Sequence, residues 1–199
     1  MLKIGSSLLF GAILSLASAG SAFAAEATLQ FDPVHSTVGF KVRHFFSNVE
    51  GHFDKFTGNV QVDPDHPENS SVTCAIQTAS VDTGTAKRDE HLRSPDFFDV
   101  TKYPAMTFTS KKVNVLGPDS ADVIGDLTLH GVTKEVTLHV KFLGKGKGMK
   151  GGLTTGWEAT TQIKRSDYGL TWNKVIEGTA VVADDVDIDL QIAADEPAK

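Results

Sequence analysis

The chain is 199 residues long, 40% hydrophobic and 22% charged, with 12 phenylalanines and a formal charge of −6 at pH 7. That length suits one domain around one core, and the composition is that of a folded globular protein, not of a disordered, collagen-like or membrane-embedded chain. The acidic balance speaks against a nucleic-acid partner, which needs clustered Lys and Arg to replace phosphate counterions, and a single cysteine, Cys74, leaves no internal disulfide to stabilise the fold.

The first segment differs in kind from the rest. Lys3 gives it a small positive start, an apolar run extends from Ile4 through Leu16, and Ala22-Phe23-Ala24 supplies a small-x-small cleavage signal. The run is short and broken by Gly11, Ser15 and Ser18, where a spanning helix needs about 20 apolar residues. Residues 1–24 therefore read as a secretory signal peptide cleaved after Ala24, and residues 25–199 as one exported domain. No later segment is long and apolar enough to cross a bilayer as a helix.

From there the dominant signal is period two, which puts alternate side chains on opposite faces of a strand. In chain order the apolar phases are Val38-Phe40-Val42, Gly58-Val60-Val62, Val72-Cys74-Ile76, Met106-Phe108, Gly125-Leu127-Leu129, Val136-Leu138-Val140-Phe142, Trp157-Ala159-Thr161-Ile163 and Val186-Ile188-Leu190-Ile192. Turn residues separate them: Pro64, His66-Pro67 and Asn69; Gly117-Pro118-Asp119; His130-Gly131; and a basic, Gly-rich loop from Gly144 to Gly152. Short connections imply antiparallel pairing. Thr83 to Asp99 breaks the pattern, with Asp82 or Thr83 as the cap of a short helix through Leu92 and Ser94-Pro95 opening another turn. Eight antiparallel strands close into a barrel or stack as a sandwich, and periodicity alone does not choose.

Signals for chemistry are sparse. The seven histidines are scattered, without the His-x-x-x-His or paired-Cys spacing of zinc sites, and no Cys-x-x-Cys-His haem attachment is present. There is no Gly-x-Ser-x-Gly elbow and no Gly-rich phosphate turn, while Cys74 sits on the apolar phase of a strand, where an inert thiol is expected. No metal site and no catalytic residue is assigned. The densest polar run is Lys87-Arg88-Asp89-Glu90-His91-Leu92-Arg93, in which Arg88, His91 and Leu92 share one helical face. That face either closes one end of a barrel or is simply solvated. Phe40, Phe45, Phe46, Phe53 and Phe56 crowd the first hairpin, as the lining of an apolar tunnel or as an ordinary packed core.

Several motifs resemble the YceI family: Ser80-Val81-Asp82-Thr83, Arg88 to Ser94, Asp96-Phe97-Phe98-Asp99, Tyr103-Pro104, Thr107 to Ser110, Gly125 to Lys134 and Asp167-Tyr168-Gly169-Leu170. The resemblance implies an all-β, eight-stranded antiparallel lipocalin-like barrel with a short helical insertion, periplasmic in Gram-negative bacteria, binding isoprenoid chains such as polyprenyl phosphates or quinones. Some members take fatty-acid-type amphiphiles instead, dimers occur, and the family offers no catalytic residue to carry over. The expectation is a periplasmic carrier or reservoir of a long-chain isoprenoid lipid, with no cofactor beyond that bound lipid or quinone, no spanning segment and a homodimer as one possible assembly. Phe40, Val42, Phe45, Phe53, Phe56, Phe97, Phe98 and Phe108 are the candidates for the tail, with Arg88, His91 and Tyr103 near the mouth. The competing readings are a stress-related module with a filled core and an enzyme of lipid or quinone metabolism.

Overall fold

Alternating residues give each strand one apolar face, and a sheet with one apolar face buries it most completely by rolling up on itself. The computed structural model describes residues 27–149, 151–176 and 179–197, so the expected signal peptide lies outside the described residues. The first half of the fold contains β1 (Ala27–Phe31), β2 (Thr37–His44), β3 (Ser47–Phe53), β4 (Phe56–Val62), β5 (Ser71–Gln77) and the two-residue β6 (Val81–Asp82). Helix α1 (Ala86–Arg93) follows, then the long strands β7 (Ala105–Gly117), β8 (Ser120–Leu129), β9 (Val132–Lys147) and β10 (Leu153–Lys164). A small pair, β11 (Val175–Ile176) and β12 (Thr179–Ala180), precedes the last strand, β13 (Val182–Asp195).

The barrel has eight staves, two of them bent. β1 and β2 form the first and β3 and β4 the second, since Ala27↔Val62 and Gly39↔His52 are pairs of the same two neighbours on either side of a break. β5, β7, β8, β9 and β10 follow in order, each antiparallel to the one before it. β13 then pairs with β10 along one edge and with β2 and β1 along the other, through Leu190↔Val38 and Phe31↔Ala194. The ring is closed, so each of the eight staves has a neighbour on both sides. Each of the eight period-two segments falls in a different stave, which settles the barrel over the sandwich.

The departures are local. β3 reads Ser-Asn-Val-Glu-Gly-His-Phe, and Gly51 in its inward phase hides the alternation. The segment expected to become a loop at Gly144 stays paired to Lys147, because a bulge at Leu143 absorbs one residue and Gly144↔Gly156 through Lys147↔Leu153 continue the ladder. The helix starts later than expected and ends at Arg93, with Thr85 as N-cap. Gly84 in the left-handed region (φ 73°) separates Thr83 from the helix, so Asp82 instead accepts the Gly84 N–H at 2.6 Å.

Large side chains fill the barrel at the α1 end, where Phe53, Phe56, Val81, Met106, Leu129 and Leu170 pack into one buried cluster. Along the wall, several phenylalanine rings lie on glycines instead of crossing the bore: Phe40 on Gly51, Phe31 on Gly58 and Phe108 on Gly125. A Cβ at Gly125 would stand 2.5 Å from both the Phe108 ring and the Thr109 carbonyl oxygen, whereas one at Gly146 would meet nothing within 4 Å. Gly125→Ala is expected to destabilise by about 1–3 kcal/mol as an overpacked site, which for a domain of this size lowers Tm by roughly 2–4 °C per kcal/mol. Gly146→Ala is expected to stay within about 0.5 kcal/mol of the parent. Thermal melts followed by circular dichroism of the two variants measure the difference.

Candidate functional site

The inward phases of the staves enclose a cavity of about 1220 Å³. That exceeds the roughly 300–1,000 Å³ of ordinary small-molecule pockets and equals about forty waters at about 30 Å³ each. Its walls are apolar through most of their length, with Val42, Leu127, Val140, Trp157, Ala159 and Ile188 drawn from five different strands. Polar lining gathers at the two ends. Thr85, Lys87, Arg88 and His91 stand at the α1 end, and Asp63, Ser70, Asp119, Ser120 and Lys145 at the other.

Nine of the eleven residues singled out from the sequence border this cavity. Phe40, Val42, Phe53, Phe56 and Phe108 are in its wall, and Arg88, His91, Phe97 and Phe98 stand at the α1 end. Phe40 and Phe53 are linked through ring centroids 5.7 Å apart, and Phe53 meets Phe98 edge-on at 5.6 Å. Two residues lie elsewhere. Phe45 occupies the β2–β3 turn with φ 52°, outside the strand alternation, and packs against His44 and Phe46. Phe46 itself is 99% exposed. Tyr103 lies on the β8–β9 turn, its ring 4.4 Å from that of His130 and close over Gly131, so it does not reach the lumen.

Sequence reasoning overlooked the opposite wall. Phe142 and Trp157 face each other across β9 and β10 with centroids 5.9 Å apart, and both border the cavity. They stand in the apolar phases already recognised, but the density of phenylalanine in the first hairpin drew attention away. Trp172 comes from an irregular segment with no periodicity to reveal it, yet it joins His91 and Phe97 in an aromatic cluster, with centroids 4.8 and 5.2 Å away. On the outer surface, His52, Asp54 and Asp82 bring three ligand-type atoms within 4.8 Å of one another, a grouping that only the β3–β6 pairing creates. These are largely exposed side chains and no role is assigned to them.

The polar run at the α1 end is occupied with structural bonds. Arg88 donates to the Thr83 hydroxyl at 2.7 Å and carbonyl at 2.8 Å, and the buried Asp89 carboxylate accepts the Thr83 N–H and hydroxyl. Arg93 donates to the carbonyls of Ala79 and Val81, fastening the helix to β6. His91 Nε2 meets the Asp96 carboxylate at 2.9 Å. The connection from β10 to β13 is held the same way. Buried Arg165 donates to the carbonyls of Ala183, Leu170 and Trp172. Burial lowers its pKa, yet a guanidinium stays charged at neutral pH. Ser166 donates its hydroxyl and N–H to Asp184, which holds that carboxyl below the usual carboxylate range.

A closed antiparallel barrel with an apolar lumen and one short α-helix at one end defines a class, the lipocalin-like barrels. The chain belongs to the YceI-like family, whose domain matches residues 29–194. It is 40% identical over 179 residues to a UPF0312 protein of Pseudomonas putida strain W619, covering 89% of this chain and 90% of that one. Protein YceI of Shigella flexneri is 45% identical over 154 residues, covering 77% and 80%. Among solved structures, Burkholderia cenocepacia BcnA superposes with a TM-score of 0.74 at 28% identity, covering 82% of this chain and 98% of that one. A domain from Saccharophagus degradans, described as polyisoprenoid-binding, shares the fold with a TM-score of 0.62 at 21% identity, covering 87% and 100%.

Two predictions follow from this geometry. Cys74 borders the lumen, and desolvation pushes its thiol up to about 11, so its alkylation by N-ethylmaleimide should be slow at neutral pH and rise about tenfold per pH unit past the range where an ordinary thiol, near 8.5, levels off. A profile that levels near the ordinary value would contradict a desolvated thiol. Asp184 has a folded-state pKa below its unfolded value, so its contribution to stability is complete above the unfolded value of about 3.9 and is lost as pH falls through the folded one. Urea melts across that acid range should show Asp184→Asn with a shallower loss of stability than the parent.

Proposed function

We propose that the protein binds a long-chain isoprenoid lipid, of polyprenyl phosphate or quinone type, along the barrel lumen and acts as a carrier or reservoir in the periplasm. The observation that carries this reading is the continuous apolar cavity bordered by residues from both ends of the barrel. A filled core leaves no such volume. Water in it would find few polar partners along the walls, whereas each buried CH2 of a tail contributes about 0.8 kcal/mol. Roughly ten such groups reach the 8 kcal/mol of micromolar binding when ordering costs are small. With the polar lining concentrated at the two ends, a tail lies along the bore and a head group sits at one of them.

The leader read in residues 1–24 supports export, and the polyisoprenoid-binding description of the Saccharophagus degradans domain supports the ligand class. A binding role is favoured over catalysis because the polar run around α1 is tied into hydrogen bonds that build the fold.

Organic extraction of the detergent-free protein followed by mass spectrometry should release an isoprenoid amphiphile. A folded protein that neither carries nor takes up any isoprenoid would overturn the reading. Val140 faces the bore and is only half-buried, so Val140→Trp should cut lipid uptake by at least tenfold while shifting Tm little. A filled core would instead respond with the roughly 1–3 kcal/mol loss of overpacking.

A further inference from the structure

The end of the barrel opposite α1 is not symmetrical. β9 pairs with β8 only up to Lys141↔Ser120, then continues as an arm paired to β10 alone as far as Lys147↔Leu153, while β10 stays bound to β13 through Thr154↔Asp195. Lys145 borders the cavity at the base of this arm and Lys147 follows it. Among the described residues neither forms an ion pair. On the same rim stand exposed apolar side chains: Met149 at the tip is 106% exposed, Leu116 on the adjacent β7–β8 turn 64% and Leu143 53%. The β4–β5 loop, with Asp63, Asp65 and Glu68, lies diametrically across the mouth by strand order, while the carboxylates on the arm's own side are engaged, Asp195 by the Thr154 hydroxyl and Glu196 by the Leu153 N–H.

Exposed apolar side chains grouped at one rim mark an interaction surface. Lysines interleaved with them, on a chain whose net charge is −6, select a partner that is both oily and negatively charged. We propose that this rim docks on an anionic lipid bilayer, with Met149, Leu143 and Leu116 entering the interface and Lys145 and Lys147 facing the lipid head groups. The acidic bulk of the protein is repelled by the same surface, so approach is oriented arm first. Docking in this way brings the cavity mouth against the membrane, where a lipid passes between the two without crossing water. That last consequence rests on the lipid-binding reading; the docking itself does not.

The test is flotation of the protein with vesicles of phosphatidylcholine alone or of phosphatidylcholine mixed with phosphatidylglycerol. Binding is expected to the mixed vesicles only and is expected to vanish at about 1 M salt, where the Debye length is about 3 Å. The double variant Lys145→Glu, Lys147→Glu should lose about tenfold or more in partitioning, as should Met149→Ser combined with Leu116→Ser. The rival apolar group at the α1 end, Phe46 and Ile176, serves as the control, and Phe46→Ser combined with Ile176→Ser should bind like the parent. Circular dichroism melts confirm that each variant is folded. Absence of binding to the mixed vesicles, an undiminished lysine variant, or loss of binding in the Phe46 and Ile176 control would each overturn the proposal. Lipid content measured by extraction on the same samples reports on the cavity separately, so failure of docking and failure of lipid binding are told apart.

Discussion

Everything in this molecule depends on β13 pairing on both edges. Its ladder with β10 runs from Asp195↔Thr154 to Asp185↔Lys164, while its other edge holds β2 and, beyond the break in that stave, β1. At the break, where the backbone ladder lapses, the Ser36 hydroxyl donates to the Ala193 carbonyl and accepts the Ala193 N–H. The seam is thus continuous in hydrogen bonds although the strand is not. Closure sets the bore, because the stave count fixes how far apart opposite walls stand. An open sheet of the same sequence would expose the apolar phase of every strand and leave two edges to pair with other chains.

Much of this was legible in the sequence, for a reason that also explains the exceptions. A strand in a barrel has one wet and one dry face, so Val136, Leu138, Val140 and Phe142 announce themselves against Thr137, His139 and Lys141. Glycine carries no such signal, and β3, with Gly51 in its inward phase, was invisible for that reason. Helix α1 was placed approximately but not its start, since Gly84 in the left-handed region turns the chain after Thr83, whose hydroxyl donates to Asp89 and accepts from the Arg88 side chain instead of capping helix N–H groups. Phe45 and Tyr103 looked like lining because aromatic residues near other aromatic residues suggest a cluster. Turns at φ 52° and beside Gly131 direct them elsewhere, and no local pattern encodes that direction.

The phenylalanine content itself admits two opposite outcomes. Ten of the twelve phenylalanines fall in the described residues, enough to block a small barrel. Pairing rings with glycines avoids this, because a ring laid flat on a position without a Cβ thickens the wall and leaves the axis clear, as with Phe40 on Gly51 and Phe108 on Gly125. The buried cluster confined to the α1 end then anchors one end of the barrel while the remainder stays hollow.

The order of the staves has a kinetic consequence. Taken stave by stave, every pairing joins neighbours along the chain except the seam between the first stave and the last. Hairpins such as β8–β9, turned by His130 and Gly131, form from residues already close together. The seam must bring together residues from the two ends of the domain, such as Ser36 and Ala193, 157 positions apart. Chain entropy opposes that step, though its cost grows only logarithmically with loop length, while contacts so distant in sequence slow a folding reaction. A sheet grown by zipping neighbours and shut by one late encounter would pass through a stage in which its whole oily face lies open to water.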